Sequence, residues 1–236
     1  MTYQSPISYV FQPPAVTALP IRGSAQLFPV RRIYCVGRNY AEHAIEMGHD
    51  PNRESPFFFQ KNPDSIVVGG GDFPYPSATR DVHHEIELVV ALAKGGENIP
   101  VSQALDHVFG YAVGLDMTRR DLQGEAKKLG RPWDIGKGFD QSAPIGPLRA
   151  AAECKVGPDT GIVLEVNGAV RQQSTIGKLI WSIPEIIEHL SAAWDLAPGD
   201  LIFTGTPEGV AAVVAGDTLN ARVDGLGSLQ VQIVAE

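Results

Sequence analysis

The chain has 236 residues, 44% of them hydrophobic and 19% charged, enough for one sizeable β-rich or α/β core and too apolar for a disordered chain. Lysine plus arginine number 19 against 27 acidic residues, a net charge of -8, and the basic residues occur only as isolated pairs. This balance excludes an electrostatic nucleic-acid binder and an anionic-membrane binder. The two cysteines, Cys35 and Cys154, form neither a disulfide framework nor a zinc motif. No signal peptide and no bilayer-length apolar run is present, so a cytoplasmic protein is expected.

Residues 1–29, with Pro13-Pro14 and Pro20, read as an extended arm carrying a short strand at Ser8 to Gln12; residues 30–236 read as a single domain. Arg32 to Gly37 predicts a buried strand. Asn39 to Met47 predicts a helix capped by Asn39 and ended by Gly48. Phe57 to Gln60 is a short apolar run, and Gly69-Gly70-Gly71 a flexible loop. Asp81 to Ala93 alternates as one strand, with Glu85, Glu87 and Val89 on one face and Ile86, Leu88 and Val90 on the other. Phe109 to Met117 predicts a second apolar strand. Thr118 to Leu129 predicts a helix with Thr118 as its cap. Ile162 to Val166 and Ala169 to Gln172 predict a hairpin around Asn167-Gly168. Ser182 to Trp194 predicts a helix with a Ser182–Glu185 capping box and an apolar stripe. Short strands with glycine turns follow. The sum is a β-rich α+β fold, with neither a strand–GxGxxG–helix unit nor a P-loop.

The densest chemistry lies in His83-His84-Glu85-Ile86-Glu87. Two carboxylates on one face of a strand that runs into a core need partners or a metal. Asp116, closing the next apolar strand, is the third candidate. With no thiol among them, these oxygens suit Mg²⁺ or Mn²⁺. The competing reading puts Glu85 and Glu87 on the solvent face of a half-buried strand, and residue types alone leave both open. His43 and Glu46 are helical neighbours, either a carboxylate-oriented general base or an ordinary exposed pair. Lys137, between Gly136 and Gly138, is either a cation for a carboxylate or enolate oxygen or a surface lysine. Ser142 and Ser174 lack a GxSxG context, and His83, His84, His107 and His189 read as structural.

Taken together, five stretches resemble the fumarylacetoacetate hydrolase family, in family order from about Val30 onward. They are Tyr34 to His43, His83 to Leu88, Gly110-Tyr111 with Asp116 to Gln123, Gly130 to Trp133 with Lys137 to Asp140, and Gly199 to Pro207. The resemblance implies a β-roll, a homodimer, and Mg²⁺ or Mn²⁺ at Glu85, Glu87 and Asp116. It implies a His43–Glu46 dyad on a lid helix, with Arg120, Gln123, Lys137 and Thr206 lining the substrate site. The activity it implies is hydrolytic C–C cleavage of a small anionic 3-acylpyruvate, foremost 3-fumarylpyruvate to fumarate and pyruvate, as in gentisate-type aromatic breakdown. General acylpyruvase or oxaloacetate decarboxylase chemistry, dienedioate isomerisation, and a non-catalytic metal-binding dimer are the rivals. A fumaryl substrate carries a far carboxylate, for which Arg38 and Arg131 are candidate cations.

Overall fold

The computed structural model describes residues 8–41 and 54–235. Strands dominate, and the helices are few and short, as the β-rich α+β reading expects. Its centre is a mixed sheet in which β4 (Phe57–Lys61) pairs β3 (Ile33–Gly37), followed by β15 (Leu201–Phe203), β8 (Ile86–Leu92), β9 (Val108–Leu115), β11 (Ala143–Ile145) and β5 (Ile66–Val68). Against one face lies a five-stranded sheet, ordered β14 (Ala169–Thr175), β13 (Gly161–Val166), β17 (Thr218–Val223), β18 (Gly227–Val234) and β6 (Gly71–Pro74).

The main core fills the space between these sheets. Ile86, Leu88 and Val90 meet Leu164, Ala221 and Val231 there, and the 183–193 helix adds Ile183, Ile186, Ile187 and Leu190. The opposite face of β8 is buried as well. Val89 and Ala91 pack with Cys35, Ile145 and Phe203, and this second cluster takes in Leu19 and Phe28 of a two-stranded ribbon, Ala18–Pro20 with Leu27–Pro29. A strand buried on both faces has no solvent side, so the exposed-face reading of Glu87 fails.

Several local expectations hold for the reasons given. Asn167 and Gly168 both adopt positive φ (53° and 78°), the conformation of a type I′ turn whose twist suits a hairpin. The helix Ile183–Ala193 carries both halves of the Ser182–Glu185 capping box. Others are corrected. Residues 8–17 form no strand. Asp81 to Ala93 is not one strand: β7 (Val82–His83) pairs with β10 (Thr118–Arg119) and β16 (Ala212–Val213) in a separate small sheet, and the chain crosses to the central sheet at His84-Glu85. Alternation has the same period in both sheets, so the crossing leaves no mark on it. Thr118 caps nothing. It lies in β10, and the helix begins at Arg120. Asn39 spends its side chain on Trp181 and Thr204, donating to both carbonyls and accepting from the Trp181 amide. Most of the predicted Asn39–Met47 helix lies outside the described residues.

The triple glycine is a tight corner, not a flexible loop. All three glycines have positive φ, a Cβ on Gly70 would meet the Gln230 carbonyl at 2.2 Å, and Gly71 already belongs to β6. No helix among the described residues is long and apolar enough to cross a membrane.

Candidate metal centre and substrate pocket

Three elements bring the carboxylates together. Glu85 occupies the crossing between the sheets, Glu87 lies on β8, and Asp116 ends the neighbouring β9. The Asp116 amide donates to the Glu85 carbonyl at 2.8 Å and holds the two segments in register. All three side chains are buried, and one oxygen from each lies within 4.8 Å of the others.

Such a cluster is costly unless compensated, and the fold compensates it with cations. Lys137, buried in a one-turn helix (Asp134–Lys137), donates to Glu85 Oε2 at 2.8 Å, Asp116 Oδ2 at 2.7 Å and Thr118 Oγ1 at 2.7 Å. It is no surface lysine. Burial opposes its charge, but Asp116 and Glu85 outweigh burial and raise its pKa above the ordinary lysine value. Arg120 binds Glu85 through Nη2 and Gln123 Oε1 through Nη1, the latter at 2.6 Å. Lys61, at the end of β4, lies 2.8 Å from Asp116 Oδ1 and donates to the Lys137 carbonyl.

Glu85 and Asp116 are thus met by three cations. With Glu87 the cluster sets three acids against three cations, whereas a count with Lys137 as the sole cation leaves an acidic excess. A divalent ion makes the site cationic and fit for an anionic ligand.

The donors fit a hard divalent cation. Asp116 Oδ1 is buried without a well-aligned hydrogen bond, despite its closeness to Lys61. Glu87 is touched by none of these cations; it accepts the Gly205 amide at 2.6 Å. Burial, followed by the charges of Asp116 and Glu85, holds its carboxyl well above the usual carboxylate range. A cation in the cluster would take the place of that proton. Gly205 needs its freedom, because it has φ of 102° and a Cβ there would lie 2.7 Å from the Asn39 Cβ.

A buried polar chain stands behind the carboxylates. His84 Nδ1 lies 3.0 Å from Gln172 Oε1, which also accepts the Ile86 amide. Gln172 Nε2 in turn donates to Thr206 Oγ1 and the Pro207 carbonyl, both at 2.8 Å. Since Gln172 Oε1 can only accept, His84 carries its proton on Nδ1. Burial chiefly, with the neighbouring His83 and Arg171, lowers the His84 pKa from 6.5 to about 4, against the pull of Gln172 and Glu85. A depressed histidine favours unfolding where only the unfolded chain is protonated. Its contribution is therefore whole above pH 6.5 and lost as pH falls toward 4, about 3 kcal/mol in all. Denaturant titrations in chelator at pH 7 and pH 4.5 should show His84→Asn losing less stability on acidification than wild type. Equal losses would refute the assignment.

Arg120, Gln123, Lys137 and Thr206 line one pocket with the three carboxylates. His43 and Glu46 lie outside the described residues. Residue patterns missed the roles of Lys61 and Gln172, which are remote in sequence from their partners Asp116 and His84, and of Thr118, which read as a helix cap. The one legible signal was a lysine ending an aromatic strand, Phe57-Phe58-Phe59-Gln60-Lys61.

Comparison with known proteins agrees with this geometry. The family model described as fumarylacetoacetate (FAA) hydrolase C-terminal matches residues 32–234. A fumarylpyruvate hydrolase of a Ralstonia species is 45% identical over 187 residues, covering 78% of this chain and 95% of the relative. A mitochondrial oxaloacetate tautomerase of Rattus norvegicus is 40% identical, covering 86% and 91%. The crystal structure of fumarylpyruvate hydrolase from Pseudomonas aeruginosa, in complex with Mn²⁺ and pyruvate, superposes with a TM-score of 0.95 at 54% identity, covering 97% of this chain and 100% of that one.

Proposed function

The chain belongs to the fumarylacetoacetate hydrolase family, and we propose that it hydrolyses a carbon–carbon bond of 3-acylpyruvates, preferentially converting 3-fumarylpyruvate and water to fumarate and pyruvate. The observation that carries this reading is the buried, cation-balanced cluster of Glu85, Glu87 and Asp116. The fumarylpyruvate hydrolase that superposes on 97% of this chain holds Mn²⁺ and pyruvate, a product of the proposed reaction.

Glu85, Glu87 and Asp116 would hold Mg²⁺ or Mn²⁺. Such an ion supplies Lewis-acid stabilisation of negative charge developing on a keto oxygen. Lys137 adds a fixed positive charge beside the same oxygens, aligned before reaction by Thr118 and Asp116. Arg120, held by Glu85 and Gln123, and Thr206, held by Gln172, provide donors for the substrate's pyruvoyl end. His43, oriented by Glu46, takes the proton from water as the oxygen attacks the acyl carbonyl. The bond from that carbonyl to C3 then breaks, and the leaving pyruvate enolate is protonated at carbon. The same reading makes the enzyme a cytoplasmic homodimer in aromatic-acid breakdown.

Purified protein should bleach the ultraviolet absorbance of 3-fumarylpyruvate with Mg²⁺ or Mn²⁺, release fumarate and pyruvate, and lose activity to chelator. No cleavage by protein shown to bind the metal would refute the reading. The tautomerase relative supports a second reading, enolisation without water attack. The dyad separates them: His43→Ala should cut hydrolysis by about 10²- to 10⁴-fold while metal binding persists. Wild-type rates in that variant would remove the dyad from the mechanism.

A further inference from the structure

Lys61, Lys137 and Arg120 are each committed to the carboxylates. The same pocket is lined by two further cations, Arg38 and Lys127, neither of which forms an ion pair with any described carboxylate. Each rests on an aromatic ring. The Arg38 guanidinium lies 5.3 Å from the Phe57 centroid, and Lys127 Nζ lies 5.0 Å from that of Trp133. Arg38 Nε is buried without a hydrogen-bond partner, and its backbone has φ of 56°, a left-handed conformation unfavourable for a non-glycine residue. Burial first, then the charges of Arg120 and Arg38, lower the Lys127 pKa to about 8. Positive charge is therefore crowded together, Glu85 offsets it only at a distance, and among the described residues neither cation has a carboxylate in direct contact.

The pocket also has a direction. Arg38, Phe59 and Trp133 line both the carboxylate pocket and an open groove of about 500 Å³ beside it. A ligand with one end at the carboxylates leaves toward solvent past Arg38 and its aromatic neighbours. Arg131, the other candidate from sequence, lines only the outer groove, is exposed, and lies 3.9 Å from Glu125.

We propose that Arg38 and Lys127 form a second anion site that receives the far carboxylate of the substrate, so that the pocket selects acylpyruvates ending in a carboxylate over those ending in a methyl group. This inference rests on the acylpyruvate reading of the centre and adds the residues that decide the acyl group. The aromatic rings carry the apolar chain between the two acid ends, and they hold the cations in place when no ligand is bound.

The test compares 3-fumarylpyruvate with acetylpyruvate, which lacks the far carboxylate. Lys127→Met should lower kcat/KM on fumarylpyruvate by about 10- to 100-fold, mainly through KM, the range expected for one charge-assisted hydrogen bond. On acetylpyruvate the change should stay below about threefold, and Lys127→Arg should restore most of the preference. A second arm needs no turnover. Fumarate and acrylate are titrated calorimetrically into Mn²⁺- and pyruvate-loaded protein, and only fumarate affinity should fall in Lys127→Met. Equal losses on both acylpyruvates, or unchanged fumarate affinity, overturn the second site while leaving hydrolysis intact. If wild type cleaves neither acylpyruvate, the catalytic reading fails, and the fumarate titration alone upholds or overturns the site.

Discussion

Glu87→Gln should abolish Mn²⁺ binding at micromolar metal and lower kcat/KM by about a thousandfold, equivalent to about 4 kcal/mol of transition-state stabilisation, with almost no effect on the stability of the metal-free protein. The separation follows from how Glu87 is held. It is buried between Asp116 and Glu85, touches none of the cluster's cations, and is driven toward its neutral form. Glutamine imitates the neutral acid in size and still offers an oxygen to the Gly205 amide, 2.6 Å from Glu87 Oε2. What glutamine lacks is the charge that a divalent cation requires. Calorimetric metal titration and thermal unfolding in chelator measure the two halves. A variant that binds Mn²⁺ like wild type would take Glu87 out of the ligand set.

Lys137→Met should show the opposite pattern, large instability without metal and partial recovery with it. Lys137 is the contact shared by Glu85 and Asp116. Removing one partner from a buried ion cluster costs about 3–5 kcal/mol, because the charges left behind are desolvated and repel. For a chain of this length, that corresponds to a fall in Tm on the order of 10 °C in chelator. Saturating Mn²⁺ supplies positive charge to the same oxygens and should shrink the deficit. Turnover should remain about 10²- to 10³-fold below wild type, since the ion does not replace the lysine's own donors. An equal Tm deficit with and without metal would mean that Lys137 and the metal answer to different charges.

The two variants probe what differed most in legibility. Glu85, Glu87 and Asp116 were visible as candidates because acids interrupting apolar strands conflict with their surroundings. Lys137 was visible only as a glycine-flanked lysine, and its three donor contacts came from folding. The dyad residues His43 and Glu46 had a legible spacing, and they lie outside the described residues. Lys61 gave one faint local signal and Gln172 none. One ends an aromatic strand and the other occupies an alternating hairpin strand, and each acquires its role from a partner more than fifty positions away.

Local order determined whatever depends on neighbours a few residues apart: the Asn167-Gly168 turn, the capped 183–193 helix, the apolar strands and the closely spaced acids Glu85 and Glu87. Only the tertiary structure decided that β8 is buried on both faces and that the chain changes sheets at His84-Glu85. It alone decided that Thr118 serves a lysine instead of a helix end, and that three cations gather on Glu85 and Asp116. Periodicity reports which face of a strand is apolar. The balance of a buried charge depends on groups brought together across the sheets, and no short window of the chain contains both partners.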